Sequence, residues 1–598
     1  MGAMGKTGLK KRRPARAAAK PPGARRARPP APHRGANWHD HLVMLLHTGA
    51  EIEHALMVEY LYAAYSLGGE QVPEKHRPMV QRWRDSLLAA AREEMGRFLG
   101  VQNLLRLVGG PLNFARRNPP WDSPYFPFPF KLEPLSLKSV ACYIYAEMPD
   151  RKALRAARGR SKPARFRKFL DHELHRIERI VHRRAGDDAH RVGALYAEII
   201  ELVADPERIP DSVFNPDSYA AQASWDEWGR GYRPDPVQLT ATGNRADDAA
   251  EEPAGRPSTR PAHVLVPRMA TRAQALEALH EISGQGEAMH LRRHDTGEPS
   301  HFERFLEIYQ DLEKLKGRKP ARDIPVNPAV PMPGTRGARR GTTPLTGARA
   351  RDWGTLFNLR YRMLLAYLAH ALRLPPASGA RPALRSMVMH KVFGEMYALK
   401  SIAAVLVRTP LHDGAGPASR GRKPAFAGPP FETPYTVALP DSERDAWIQH
   451  RDLLRAAGEL CAKLRADGDD ADARRYAAVL ADIDRQSLAW VDQVIATSKG
   501  AQPRRSPNCA SSRPSRSAGS ARRRSPSTTT CSRTTRSARS ATGASSAPRP
   551  CASTRRPARS PARTRARRSR SGTRMAASAR LPPSSRPSPS PPPASCAR

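Results

Sequence analysis

Cysteine is scarce in this chain, and most of what there is lies outside the part with a core-forming composition. Cys509, Cys531, Cys551 and Cys596 fall in the C-terminal stretch, leaving Cys142 and Cys461 for the rest. That excludes a disulfide-stapled scaffold and a cysteine-based zinc site. Long apolar runs are missing as well: nothing approaches the ~20 residues a membrane-spanning helix needs, and no apolar segment of signal-peptide type follows the basic N-terminus. The expectation is a cytoplasmic protein without membrane contact.

Acids are absent from both ends. Residues 1–36 carry eleven Lys or Arg and no Asp or Glu. Residues 501–598 carry twenty-three Arg, no Lys, no acid and no aromatic, with Leu581 as the one branched aliphatic. Such segments cannot bury enough apolar surface to offset the entropy of ordering, so both ends read as disordered. They also account for most of the net charge of +43, leaving +9 for residues 37–500. Nucleic acid is therefore expected only as a non-specific partner of the basic termini. A tail without Lys, Asp or Glu is odd for a segment selected for charge. It fits a GC-rich gene translated out of frame after about residue 500, which the other frames of the coding DNA would test.

Between these ends the chain is helical in pattern and can fill a large core. A helix is expected from about Trp38 to Leu67, with Asn37 as N-cap and Gly68-Gly69 as stop, and a second from about Arg77 to Val108, ended by Gly109-Gly110-Pro111. The short loop makes them antiparallel neighbours. An irregular aromatic crossover follows, with Pro119-Pro120-Trp121 and Pro124-Tyr125-Phe126-Pro127-Phe128-Pro129-Phe130. Its prolines exclude a regular helix, while its rings favour burial along the bundle. Further helices are expected at about Leu137–Glu147, within 151–190, at Arg191–Val203, from Thr271 through Glu287, and from Ser300-His301-Phe302-Glu303, which has capping-box spacing, to Leu315. In the 151–190 segment Asp171, His172, Glu173 and His175 contain neighbours at i,i+1 and i,i+2, which do not face each other on a helix, and the group reads as a solvated surface.

Carboxylates interrupt the apolar stripes. Glu53 falls on the stripe Leu46, Ala50, Met57, Tyr60 and Ala64, and Glu94 on the stripe Leu87, Ala91, Phe98, Val101 and Leu105. In Gly284-Gln285-Gly286-Glu287-Ala288-Met289-His290, Glu287 and His290 share a face. An ionised carboxylate inside a bundle is costly unless a cation, a metal or several donors meet it. Inward acids from several helices with an E-x-x-H pair are how four-helix bundles hold two metal ions.

At these residues the chain resembles the ferritin-like domain of the iminophenyl-pyruvate dimer synthase family of bacterial indolocarbazole and violacein biosynthesis. The aromatic crossover, the Glu147-Met148-Pro149 that ends the short helix, and Ala427-Gly428-Pro429-Pro430-Phe431-Glu432 are similar to that family too. The resemblance covers most of 38–310 and implies an all-α fold, a ferritin-like four-helix bundle with a long crossover. It implies metal ligands at Glu53, Glu94, Glu287, His290 and His301. It further implies iron, in a two-ion centre that activates dioxygen, and oxidative coupling of a small amino-acid-derived substrate in secondary metabolism. Two departures stand out. Arg97 occupies the place of the E-x-x-H histidine, and a guanidinium cannot be a ligand. Ala194, in Gly193-Ala194-Leu195-Tyr196, replaces a third-helix glutamate, and Glu198 is displaced from that place by about 6 Å. Arg97 paired with Glu94 or Glu53 would give those acids a metal-free partner. The second reading is therefore a degenerate bundle without metal, acting as a binding or structural partner.

The organisation read from the sequence is thus a basic end at 1–36, a ferritin-like domain at 37–316, a linker at 317–350, a second helical module at 351–500 and the 501–598 tail. A further linker is expected at 241–261. The second module shows helical patterns at about Trp353–Leu374, Pro382–Arg408, Ser442–Arg465 and Asp472–Thr497. No inward acid cluster is legible there; His390 and Glu395, roughly 500° apart around a helix, read as core and surface residues.

Overall fold

The computed structural model describes residues 37–121, 125–149, 164–185, 191–228, 264, 266–287, 299–315, 317, 319–331, 339–376, 384–413, 426–434, 437–466 and 470–497. The readings of residues 1–36, 241–261 and 501–598, and of His290, lie outside them. Within the described residues the fold is all-α and ferritin-like, with a two-stranded parallel pairing of Pro328–Ala329 and Thr343–Pro344 as its regular β-structure.

Helix α1 (Trp38–Ser66) begins where the Asn37 side chain accepts the Asp40 N–H at 2.7 Å. That cap satisfies one of the orphan donors of the first turn, and Asp40 itself suits the positive end of the helix. It ends ahead of Gly68 and Gly69, whose φ of +87° and +113° lie in a region open to glycine. Helix α2 (Arg77–Leu107) has a proline in its first turn and runs back along α1. Among the described residues between 108 and 136 no helix forms, and Phe126, Phe128 and Phe130 are buried as their composition demands. Then come α3 (Leu137–Ala146), α4 (Ala164–Ala185), α5 (Val192–Val203), the single turn α6 (Trp225–Trp228), α7 (Arg272–Glu287) and α8 (His301–Lys314). The four-helix bundle is α1, α2, α5 and α7; α3 and α8 pack on each other, and α8 also touches α2. In α4, His172 is well exposed, as expected of a solvated face, but Glu173 is buried and paired with His172 and Arg176.

The second set is α9 (Ala348–Arg373), α10 (Leu384–Leu406), α11 (Glu443–Ala466) and α12 (Ala471–Thr497), paired as α9 with α10 and α11 with α12. It shares one apolar core with the first. Polar contacts join them: Tyr361 Oη lies 2.5 Å from His54 Nε2, Arg116 Nη2 donates to the Phe431 carbonyl at 2.5 Å, and Arg106 Nη2 to that of Leu372 at 2.6 Å. Gly428 lies so close to α1 that a Cβ on it would sit 2.5 Å from Tyr62 Oη.

Much of the stretch expected as a linker is ordered against α1 and the crossover. Arg322 N–H donates to the Ser66 carbonyl at 2.8 Å, and Asn327 and Leu132 exchange two bonds of 2.8 Å each. Ile324 and Leu345 are buried. Its Gly, Pro and Arg content hid this, because the segment pairs through backbone groups, which leave little trace in side-chain pattern. No helix among the described residues is long and apolar enough to cross a membrane.

The absence of inward acids in the second set needs correction. Glu395 and Asp484 are buried against the buried Arg360. Arg360 Nη1 donates to Asp484 Oδ1 at 2.8 Å and to Glu395 Oε1 at 3.3 Å, and Nη2 to Asp484 Oδ2 at 2.5 Å. Each partner is a single charge on a different helix, and none of the three helices has a motif that marks it. His390 is exposed, as expected.

Candidate functional site

Each of four elements brings a charge to one buried place. Glu53 comes from the middle of α1, Glu94 and Arg97 from adjacent turns of α2, Glu147 from the C-cap of α3 and His301 from the first position of α8. All five are at most 2% exposed. His301 is positioned by a capping box in which Ser300 and Glu303 exchange side-chain and backbone bonds, the feature its spacing foretold.

Arg97 lies at the centre. Its Nη2 pairs with Glu94 Oε1 and lies 3.2 Å from Glu147 Oε1, while its Nε faces Glu53 Oε2 at 3.5 Å. His301 offers Nε2 to Glu93 Oε2 at 2.7 Å and Nδ1 to Glu94 Oε1 at 3.1 Å. Because both ring nitrogens face carboxylates, the ring is an imidazolium. The 2.9 Å approach of its Nδ1 to Arg97 Nη2 is then two cations sharing Glu94 rather than a hydrogen bond. Arg304 Nη1 closes the outer side on Glu93 Oε1 at 2.7 Å. Tyr60 donates to Glu147 Oε1 at 2.8 Å and Tyr196 to Glu53 Oε1 at 2.5 Å.

The proton affinities follow from this geometry. Burial alone would raise Glu93, but the charges of His301 and Arg304 outweigh it and bring Glu93 to about 2. Glu147 is likewise held well below its ordinary value, with Arg97 and His301 overcoming burial. Burial would discharge His301, yet Glu93, Glu147 and Glu94 push it up to about 10. Glu53 goes the other way: burial raises it well above the carboxylate range, Arg97 only partly opposes this, and Glu94 adds to the rise.

Of the residues expected as ligands, the structure brings together Glu53, Glu94 and His301. The backbone of Glu287 ends α7, but its side chain, like all of His290, lies outside the described residues. The departure read at position 194 also changes meaning. Ala194 is exposed, so a glutamate there would face away from the cluster. Glu198 pairs with His41 at 3.4 Å and takes no part. The buried group that α5 contributes is the Tyr196 hydroxyl. Sequence reasoning missed Glu147, Glu93, Tyr60, Tyr196 and Arg304. For Glu147 there was a signal, the Glu-Met-Pro closing α3; the tyrosines looked like ordinary core positions.

A metal ion fits this arrangement poorly as it stands. Glu94, Glu147 and His301 each present a ligand atom within 4.8 Å of the others, a donor set suited to one cation. Yet Arg97 Nη2 already touches all three, which puts a fixed positive charge where an ion would sit.

Buried carboxylates and a histidine are gathered between helices of an antiparallel bundle, and residues 46–310 match the ferritin-like family model. Over 454 residues the chain is 29% identical to dichlorochromopyrrolate synthase of Lentzea aerocolonigenes. This bears out the resemblance to the dimer synthases drawn from the sequence. The match takes in 70% of this chain but spans only 38% of that protein's length. A ferritin-like protein from Caulobacter vibrioides aligns with 61% of this chain and 96% of its own at 17% identity, with a TM-score of 0.31, too low to carry an argument.

Proposed function

We propose that this chain is a ferritin-like bundle that has exchanged its metal for an internal cation and serves as a binding protein rather than an oxidative enzyme. One observation carries the reading: the Arg97 guanidinium lies among Glu53, Glu94, Glu147 and His301. A permanently charged group in that position supplies the countercharge that buried acids need. Expelling it in favour of an ion would leave a buried, unpaired guanidinium.

The test is iron content by elemental analysis of the full chain after anaerobic reconstitution with ferrous iron. The expected result is far less than one iron per chain, with iron gained in Arg97→His and lost again when Glu94→Gln or Glu147→Gln is added. About two irons per unaltered chain, the load of a carboxylate-bridged pair, would overturn the proposal.

A second reading has its own support. The convergence of Glu94, Glu147 and His301 is what an iron-dependent coupling enzyme acting on an amino-acid-derived molecule would need. Bound iron would supply dioxygen activation, and Arg97 would have to withdraw first. The same iron analysis separates the two readings.

A further inference from the structure

A cavity of about 180 Å³ lies where α1 and α2 meet α9 and α10, and none of the charged-cluster residues lines it. Phe98, Phe393 and Phe431 form aromatic walls, and Met57, Met95 and Met396 add flexible, polarizable ones. An apolar cavity of about 150 Å³ stays dry and accepts a benzene-sized guest, so this space suits a slightly larger apolar body. At its polar edge Tyr361 Oη receives the Arg116 Nε–H at 3.3 Å and lies 2.5 Å from His54 Nε2, while His54 Nδ1 has no hydrogen-bond partner among the described residues. Burial, reinforced by the Arg116 charge, holds His54 well below its ordinary value, so it is neutral and adds no charge to the wall.

The charge on the lining is of one sign. No Asp or Glu lines the cavity, whereas Arg92 and Lys400 do. Arg92 is half-buried, its Nε on the Leu88 carbonyl at 3.2 Å, and Lys400 is exposed. Neither has a carboxylate partner among the described residues. Two uncompensated cations beside an apolar space without an acid complement a guest with a negative end.

We propose that this cavity binds a small hydrophobic monoanion, with an apolar body of one or two fused rings or a short alkyl chain and a single acid group turned toward Arg92 and Lys400. The site goes beyond the function proposed above and does not depend on whether the charged cluster holds a metal.

The experiment is titration calorimetry of the full chain with 1-naphthoate, octanoate and the uncharged 1-naphthalenemethanol. One-to-one binding of naphthoate or octanoate is expected, weakened about fivefold in the double variant Arg92→Gln, Lys400→Gln, as partly exposed charges allow. Ala91→Leu, which fills the cavity from its α2 wall, should weaken binding at least as much while far-UV circular dichroism is unchanged. Binding of naphthoate alone assigns a ring body and of octanoate alone an alkyl one; each supports the proposal. No heat from either acid at millimolar concentration overturns it, as does equally tight binding of the alcohol. So does affinity unmoved by both the charge variant and the filling variant. Iron content, measured on the same samples, reads the other proposal separately.

Discussion

Arg97 and Arg360 are each almost sealed from water, and each faces acids from other helices, but their surroundings are built differently. Arg360 grips Asp484 with both terminal nitrogens and Glu395 with one, a fork matched to a carboxylate. Arg97 meets three glutamates and an imidazolium through contacts that leave Glu53 Oε2 and Glu94 Oε2 without hydrogen-bond partners among the described residues, whereas no oxygen of Asp484 or Glu395 is left so; the Nε of each arginine is without one. Counting Glu93 and Arg304, four acids face three cations. The first arrangement is a strut. The second has the unsaturated oxygens of a site designed around something else, with a guanidinium in the middle.

The sharpest way to break this comparison is to remove each arginine in turn. Arg97→Met and Arg360→Met should each cost about 3–5 kcal/mol, because each leaves buried acids uncompensated, read as a fall in the urea midpoint. The difference should appear on adding manganese or zinc: the midpoint of Arg97→Met rises and that of Arg360→Met does not. Rescue of both, or of neither, would remove the distinction between site and strut. Next in size, Tyr196→Phe deletes the donor to Glu53 and should lower stability by about 1–2 kcal/mol. An unchanged midpoint would mean that Glu53 does not need that bond.

Ser300→Ala should lose about 1 kcal/mol through its cap, and it should lower the gain in iron seen with Arg97→His, since His301 follows that cap directly. The smallest expected effect is a slope with pH. Glu395 is raised to about 7, first by burial and then by Asp484, with Arg360 opposing. A raised acid binds its proton more tightly when folded, so its contribution is present below 4.5 and is lost as pH rises through 7. Glu395→Gln should flatten that part of the stability profile, and a profile steeper than the parent's would reverse the sign of the argument.

The bundle was legible because periodicity, caps and glycine stops act locally: Asn37, Gly68, Ser300 and the α1 and α2 stripes all lie where their spacing placed them. Acids on stripes likewise marked Glu53 and Glu94 as buried. What stayed hidden depended on contacts between distant segments. Glu147 ends a short helix and reaches the cluster only because α3 packs on α8. Ala194 falls at a motif position of the family it resembles, yet its rotation about α5 turns it outward. The Arg360 triad joins three helices that carry one charged member each. Family motifs located the site along the chain but could not tell how Arg97 would be housed within it.

The closeness of Gly428 to Tyr62 and the reach of Arg116 across to Phe431 bear on how this protein could change over generations. Two halves joined by a free tether could be traded between genes as cassettes. Here a methyl group on one half collides with a hydroxyl on the other, so each half is fitted to its own companion. A foreign second half would have to arrive with glycine at that place and a carbonyl presented to Arg116. Inheritance should therefore keep the two together and leave variation to the surfaces that neither half covers.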